Sequence, residues 1–100
     1  MLPYGKIASA LGTAAAAGRV ALVPFVTAGY PERDGFIDTL REVASQGDVV
    51  EIGVPFTDPM ADGVTIQRSS HAALASGVSL RWILDKLAAA KGIDAPLILM

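Results

Sequence analysis

The sequence alternates between two hydrophobic periods, and this alternation is what most limits the folds open to the chain. Short apolar runs of the kind found in buried strands are separated by longer stretches whose apolar residues recur at helical spacing. In chain order the pattern predicts α, β, α, β, α, α, β. Strands that are apolar on both faces and spaced by helices are typical of a parallel sheet covered by helices. The chain is therefore predicted to be an α/β protein.

Glycine and proline mark where these elements begin and end. Each predicted helix is followed by a glycine, and these are Gly18, Gly47, Gly77 and Gly92. The predicted strands are Ala21–Val26, Asp48–Val54 and Pro96–Met100, and the third helix covers Ile66–Ser76 before Ser79 caps the fourth. Pro24 conflicts with the first strand, because proline cannot donate a hydrogen bond to a sheet.

Composition excludes several classes of protein. Apolar residues make up 52% of the chain and the net charge is −2, so the chain is not expected to be disordered. The longest uncharged stretches have 12 residues, whereas a membrane-spanning helix needs about 18. Cysteine is absent and the pI is about 5.1, which predicts no disulfide, no thiolate metal site and no nucleic-acid partner. The N-terminal segment is too weakly apolar for a signal peptide, so a cytoplasmic location is expected.

Glu51 is the most informative residue. Strand periodicity places Glu51 with Val49 and Gly53 on one face of the second strand, whereas the opposite face is wholly aliphatic. The aliphatic face should meet the helices, so the carboxylate points into whatever the sheet encloses. A buried lone carboxylate is costly unless it is paired or protonated. The alternative is a salt-bridged or edge-exposed glutamate, although no lysine or arginine lies between Glu42 and Arg68.

Two further carboxylates, Asp58 and Asp62, lie in the loop that follows this strand, Pro55–Gly63. Loops after the carboxyl ends of parallel strands are where α/β proteins build their sites. A glutamate on the strand and an aspartate on its loop are a pair that acid–base chemistry uses. The alternative is that both aspartates are turn formers, which is the preferred interpretation for Asp58 alone. No metal site is expected, since the carboxylate spacing matches no metal loop and His71, the single histidine, is expected to be a solvated helix residue.

Together these residues resemble the tryptophan synthase alpha chain family. The segment from Val23 to Pro31, VPFVTAGYP, resembles the first strand and loop of that family. The segment from Glu51 to Gln67, with its core EIGVPFTDPMADG, resembles the family's signature around the second strand. The match continues through ALASGV at residues 73–78 and covers nearly the whole chain from about Ala21.

The resemblance implies a (β/α)8 TIM barrel, of which residues 1–100 are the N-terminal portion of a single domain: a preceding helix and roughly the first three β/α units. It also implies retro-aldol cleavage of indole-3-glycerol phosphate to indole and glyceraldehyde 3-phosphate, in the last steps of L-tryptophan biosynthesis. A barrel of this type has about 250 residues, so the chain is expected to be incomplete and inactive alone.

Roles for individual residues also follow from the resemblance. Glu51 corresponds to the family's catalytic proton shuttle and Asp62 to its partner. Phe25 and Leu99 match positions that line the indole pocket, with plain barrel core as the alternative for both. The loop around Thr57, Asp58 and Pro59 matches the part that faces the beta chain, which is the pyridoxal-phosphate subunit. The alpha chain itself is expected to need no cofactor and no metal.

Two other interpretations remain open. The protein could be a stand-alone indole-3-glycerol phosphate lyase that releases free indole, since Glu51 and Asp62 would serve both enzymes. It could also be a truncated, non-catalytic fragment.

Overall fold

The computed structural model describes residues 3–56 and 63–100, and the element order is the one predicted from the sequence. The elements are α1 (Pro3–Ala16), β1 (Phe25–Thr27), α2 (Phe36–Gln46), β2 (Val50–Gly53), α3 (Val64–Ala75), α4 (Leu80–Ala89) and β3 (Leu97–Leu99). The strands form one parallel sheet in the order β1-β2-β3. The α/β prediction is confirmed.

The core lies between β2 and the helices. Val50 and Ile52, on one face of β2, are fully buried. They pack in one cluster with side chains from all three helices that follow β1, among them Phe36, Leu40 and Ile83. The prediction that the aliphatic face of the second strand meets the helices is therefore confirmed. Burying such side chains contributes about 1.5–3 kcal/mol each, so this face fixes the orientation of β2.

Most of the residues predicted to begin or end a helix lie at or next to a helix end in the structure. Ser79 caps α4 by accepting a hydrogen bond from the backbone N–H of Trp82 at 3.1 Å. Gly47 follows the last residue of α2 and donates its N–H to the carbonyl of Val43. α3 begins at Val64, two residues before the predicted start, and His71 is exposed on it as expected. None of the helices in the described part of the chain is long and apolar enough to cross a bilayer.

The first strand is shorter than predicted. The apolar run indicated a strand over Ala21–Val26, whereas β1 covers Phe25–Thr27. Pro24 explains the difference, because its ring nitrogen has no proton to donate to the sheet. Its carbonyl oxygen can still accept, and it receives the N–H of Glu51 at 2.9 Å. Pro24 therefore sits directly before the strand and helps to set its register with β2.

Asp48 holds the segment that leads into β1 in place through hydrogen bonds. Its carboxylate accepts two hydrogen bonds from the Arg19 guanidinium, at 2.8 and 2.7 Å, and a third from the N–H of Leu22 at 2.8 Å. The N–H of Asp48 in turn donates to the carbonyl of Leu22 at 2.8 Å. The hydrogen bonds from Arg19, followed by that from Leu22, lower the pKa of Asp48 from 3.8 to about 2.

We expect Asp48→Asn to lower the melting temperature of the protein by several degrees at pH 6–7. The pKa of Asp48 is lower in the folded state, so its contribution is present above the unfolded pKa of 3.8 and lost as the pH falls towards 2. The difference in melting temperature between parent and variant should therefore shrink over that interval. Thermal melts at pH 7, 5, 4, 3 and 2, read by circular dichroism, measure it.

Asp38→Asn is the matched control. Asp38 pairs with Arg41 at 2.9 Å, but its side chain is 84% exposed, and exposed ion pairs contribute little to stability. An Asp48→Asn penalty equal to that of Asp38→Asn, or one that does not depend on pH, would contradict the role given to Asp48.

Candidate functional site

Glu51 lies in the middle of the sheet, on the face turned away from the core. Its register partners are Phe25 on β1 and Ile98 on β3. Cross-strand partners point to the same side of a sheet, so Glu51 is flanked by one aromatic and one aliphatic residue. The Glu51 side chain is half-buried. The predicted division of β2 into an aliphatic face and a carboxylate face is confirmed.

Among the residues that the structure describes, the Glu51 carboxylate has no charged partner. Ion pairs within residues 3–56 and 63–100 join Arg19 to Asp48 and Arg41 to Asp38, and none involves Glu51. Its side chain also forms no hydrogen bond to any other residue in this part of the chain. The salt-bridged alternative therefore has no partner among the described residues. Glu51 is thus a half-buried carboxylate between two apolar neighbours on the face of the sheet turned away from the core.

Gly53 shapes the apolar wall beside Glu51. It pairs with Thr27 two positions further along the strands, and the Phe25 ring leans over it. A Cβ at position 53 would overlap Cζ of that ring and lie 3.0 Å from its Cε2. The missing side chain at Gly53 is therefore what allows the Phe25 ring to lie along the sheet next to the carboxylate.

We expect Gly53→Ala to displace the Phe25 ring at little cost in stability. The ring is the far end of a partly exposed side chain and can swing away, so the change in unfolding free energy should stay below about 1 kcal/mol. If Phe25 holds an aromatic substrate, KM should rise up to about tenfold, since an aromatic pair is worth about 0.5–1.5 kcal/mol beyond its buried area. Steady-state kinetics and thermal melts of parent and variant separate the two effects.

Gly12→Ala is the control, because nothing lies within 4 Å of a Cβ at that position of α1. An unchanged KM in Gly53→Ala, with the Phe25 ring displaced in its crystal structure, would remove Phe25 from the binding site.

The other predicted pocket residue, Leu99, is not brought to Glu51. Leu99 pairs with Ile52, on the face that meets the helices, and Leu97 two residues earlier packs against the core. Ile98 occupies the position next to Glu51 instead. The sequence did not indicate Ile98, because every residue from Pro96 to Met100 is apolar. Such a run has no alternation that shows which residues lie on which face of the strand.

The remaining predicted site residues are Asp62, Thr57, Asp58 and Pro59, and all four lie outside the described residues. The structure does describe where the chain enters and leaves this segment. At the end of β2, the carbonyl of Gly53 accepts a hydrogen bond from the N–H of Ala28 at 3.0 Å. The N–H of Val54 donates to the carbonyl of Met100 at 2.7 Å. The chain re-enters the described structure at Gly63, directly before α3.

A groove of about 790 Å³ lies elsewhere, between α1 and the segment that leads into β3. Lys6 and Asp94 line it, and none of the predicted site residues that the structure describes does so. In the part of the chain that the structure describes, no group of three or more His, Cys, Asp or Glu side chains could hold a metal ion.

Comparison with known proteins gives one consistent family. The family model described as tryptophan synthase alpha chain matches residues 11–100. A tryptophan synthase alpha chain from Nitratidesulfovibrio vulgaris is 54% identical over 89 residues, covering 87% of this chain and 35% of that protein. One from Roseiflexus castenholzii is 45% identical over 98 residues, covering 95% of this chain and 38% of that protein. The chain thus spans about a third of the length of the curated relatives it matches.

Solved structures agree. The alpha subunit of tryptophan synthase from Legionella pneumophila superposes with a TM-score of 0.84 at 35% identity, covering 95% of this chain and 37% of that one. A tryptophan synthase structure from Mycobacterium tuberculosis, in an aminoacrylate-bound form, gives a TM-score of 0.85 at 30% identity over 95% of this chain and 39% of that one. The three-stranded parallel sheet and its helices are therefore the arrangement found in the corresponding third of these chains.

Proposed function

The chain belongs to the tryptophan synthase alpha chain family, and from that membership we propose that the complete protein cleaves indole-3-glycerol phosphate to indole and glyceraldehyde 3-phosphate. The observation that carries the proposal is the position of Glu51. It is a half-buried carboxylate on the open face of the sheet, between Phe25 and Ile98. We propose that residues 1–100 are the N-terminal portion of a single TIM-barrel domain, which agrees with their coverage of the relatives.

The proposed reaction needs two proton transfers and no other reactant. Protonation of the indole ring at C3 turns the ring into a cation centred on N1. The neighbouring hydroxyl of the glycerol chain then loses its proton, the bond from C3 to the side chain breaks, and the bonding electrons return to the ring. One proton is delivered and one is recovered, so a single carboxyl group can complete the cycle.

Glu51 is proposed as that proton shuttle. It has no competing cation among the described residues, and its apolar neighbours Phe25 and Ile98 suit the flat indole ring. Asp62 is proposed to stand near N1, where an ionised carboxylate would stabilise the cation. Leu99, which the family resemblance also assigns to the pocket, is on the other face of the sheet beside Ile52; Ile98 is the better candidate for that wall.

The proposed partner is the tryptophan synthase beta chain, the pyridoxal-phosphate subunit that consumes indole. The segment with Thr57, Asp58 and Pro59 follows the carboxyl end of β2, the end of a parallel sheet where site loops are built. This segment is proposed to face the beta chain.

A cytoplasmic location is part of the same proposal. The alpha chain itself is proposed to use no cofactor.

An assay on the complete protein tests the proposed function. Indole-3-glycerol phosphate is added with and without a tryptophan synthase beta chain, and indole and glyceraldehyde 3-phosphate are measured in equal amounts. Cleavage that the beta chain stimulates supports the alpha-subunit proposal. Cleavage that is fast alone and insensitive to the beta chain favours the stand-alone lyase. No cleavage in either case would favour a non-catalytic chain and overturn the proposal.

A further inference from the structure

The face of the sheet that carries Glu51 is covered at one end and open at the other. At the amino end, Val49 directly precedes β2 and is only 1% exposed. At the carboxyl end, Met100 follows β3, two positions after Ile98, and is 60% exposed. Phe25, beside Glu51 on β1, is 37% exposed. The face thus has a floor, formed at Val49, and an opening at its carboxyl end.

Val49 is not buried by the core. In the described part of the chain, the core cluster between β2 and the helices does not include Val49. Ala14 of α1 shares this property, since it is completely buried and also lies outside that cluster. A buried side chain must be in contact with other residues. Another part of the fold therefore covers the floor.

α1 lies at the amino end of the strands. The carbonyl of Ala14, near the end of α1, accepts the N–H of Arg19 at 3.1 Å, and the Arg19 side chain binds the carboxylate of Asp48. Asp48 immediately precedes Val49. The first half of α1 faces the segment that leads into β3, with which it forms the groove of about 790 Å³. α1 therefore crosses the amino ends of β2 and β3, where it closes the floor at Val49.

The proposed substrate fits this face in one orientation. Its indole ring is flat and apolar, whereas its glycerol chain and phosphate are polar and charged. A charged phosphate buried against an apolar floor would be costly, and the Val49 side chain has no polar group to offset that cost. The ring therefore takes the covered end, between Phe25 and Ile98, and the chain extends from C3 towards the opening. The carbon of the ring farthest from C3, which is C6, then lies nearest Val49.

We propose that Val49 sets the depth of the ring pocket and thereby selects against indole rings that carry a substituent at C6. The proposal rests on the proposed function and adds a specificity-determining residue to the same site. The ion pair between Arg19 and Asp48 holds the end of α1 beside Val49, so the floor cannot easily move away from a larger ring. A packed apolar wall distinguishes ligands that differ by one carbon by about 10–200-fold.

The test compares indole-3-glycerol phosphate with its 6-methyl analogue on the complete protein. The measured quantity is the kcat/KM of the unsubstituted substrate divided by that of the methylated one, a ratio that does not depend on the fraction of folded enzyme. In the parent this ratio should be at least about tenfold. Val49→Ala removes two methyl groups from the floor and should lower the ratio about tenfold. Val49→Ile adds one carbon and should raise it.

Val50→Ala is the matched control. Val50 is the next residue, is also fully buried and loses the same two methyl groups, but it belongs to the core cluster on the other face of β2. Its substitution should lower the melting temperature, as large-to-small changes in a core do, and leave the substrate ratio equal to that of the parent. An equal change of the ratio in Val50→Ala and Val49→Ala would show a general loosening of β2 and overturn the role of Val49.

The possible outcomes separate the two proposals. Cleavage with a substrate ratio that neither Val49→Ala nor Val49→Ile changes would overturn the role of Val49 and keep the proposed function. Absence of cleavage in the parent protein would overturn the proposed function instead. The floor would then be judged by calorimetric titration with indole and 6-methylindole. Relative binding of 6-methylindole that improves in Val49→Ala but not in Val50→Ala supports the floor, whereas unchanged relative binding, or no binding of either compound, overturns it.

Discussion

Glu51→Gln is expected to lower kcat for indole-3-glycerol phosphate cleavage by about a thousandfold, within the range of about 10²–10⁴ that a general acid–base group supplies. The substitution keeps the size of the side chain and removes its ability to transfer a proton. The half-buried Glu51 carboxylate pairs with no cation of the described residues, so the change breaks no ion pair there. Stability and beta-chain binding should stay close to those of the parent. Indole release by the complete protein measures the effect.

Glu42→Gln is the matched control for this prediction. Glu42 is an exposed glutamate of α2, and its substitution changes the net charge by the same amount. Its kcat should equal that of the parent. Retention of more than a few per cent of the parent's turnover in Glu51→Gln would show that another group moves the proton, and the role proposed for Glu51 would be wrong.

The sequence predicted the part of the fold in which periodicity and burial agree. Val50 and Ile52 alternate with Glu51, and burial of the two aliphatic side chains leaves only one orientation for β2. A slip of one residue would expose both and bury the carboxylate in the core, which is costly on both counts. The carboxylate face could therefore be predicted without any knowledge of the neighbouring strands.

The sequence was less informative where two elements must be aligned with each other. The apolar run at β3 has the same character on both faces, so the choice between Ile98 and Leu99 depends on the register with β2. The predicted start of β1 was wrong, because the prediction gave the apolar run more weight than the missing N–H of Pro24. The buried hydroxyl groups of Thr27 and Ser69, whose oxygens are 2.7 Å apart, meet only through the packing of α3 against β1, which no local pattern encodes.

These differences bear on the site itself. The groups whose positions follow from one strand, Glu51 and Gly53, were identified correctly as sharing a face. The residues beside Glu51, Phe25 and Ile98, come from the two neighbouring strands. A site at the end of a parallel sheet is assembled from several strands and loops, so single-strand periodicity can propose a candidate residue such as Glu51 but not its neighbours on other elements.

Asp62 is expected to show a graded response. Asp62→Asn should lower kcat about tenfold and Asp62→Ala about a hundredfold or more, because asparagine keeps an oxygen acceptor near N1 whereas alanine keeps none. KM should change less than kcat, since the cation forms only as the reaction proceeds. Indole release by the complete protein measures both constants.

Asp85→Asn is the control for Asp62, because Asp85 is exposed on α4 and the substitution removes the same charge. A turn former would give a different pattern from a catalytic carboxylate. Asparagine forms turns as well as aspartate does, so a turn role predicts full activity in Asp62→Asn and a loss of stability in Asp62→Ala. A tenfold loss in Asp62→Asn with an unchanged melting temperature would require the charge itself, and charge is what a cation at N1 needs from its neighbour.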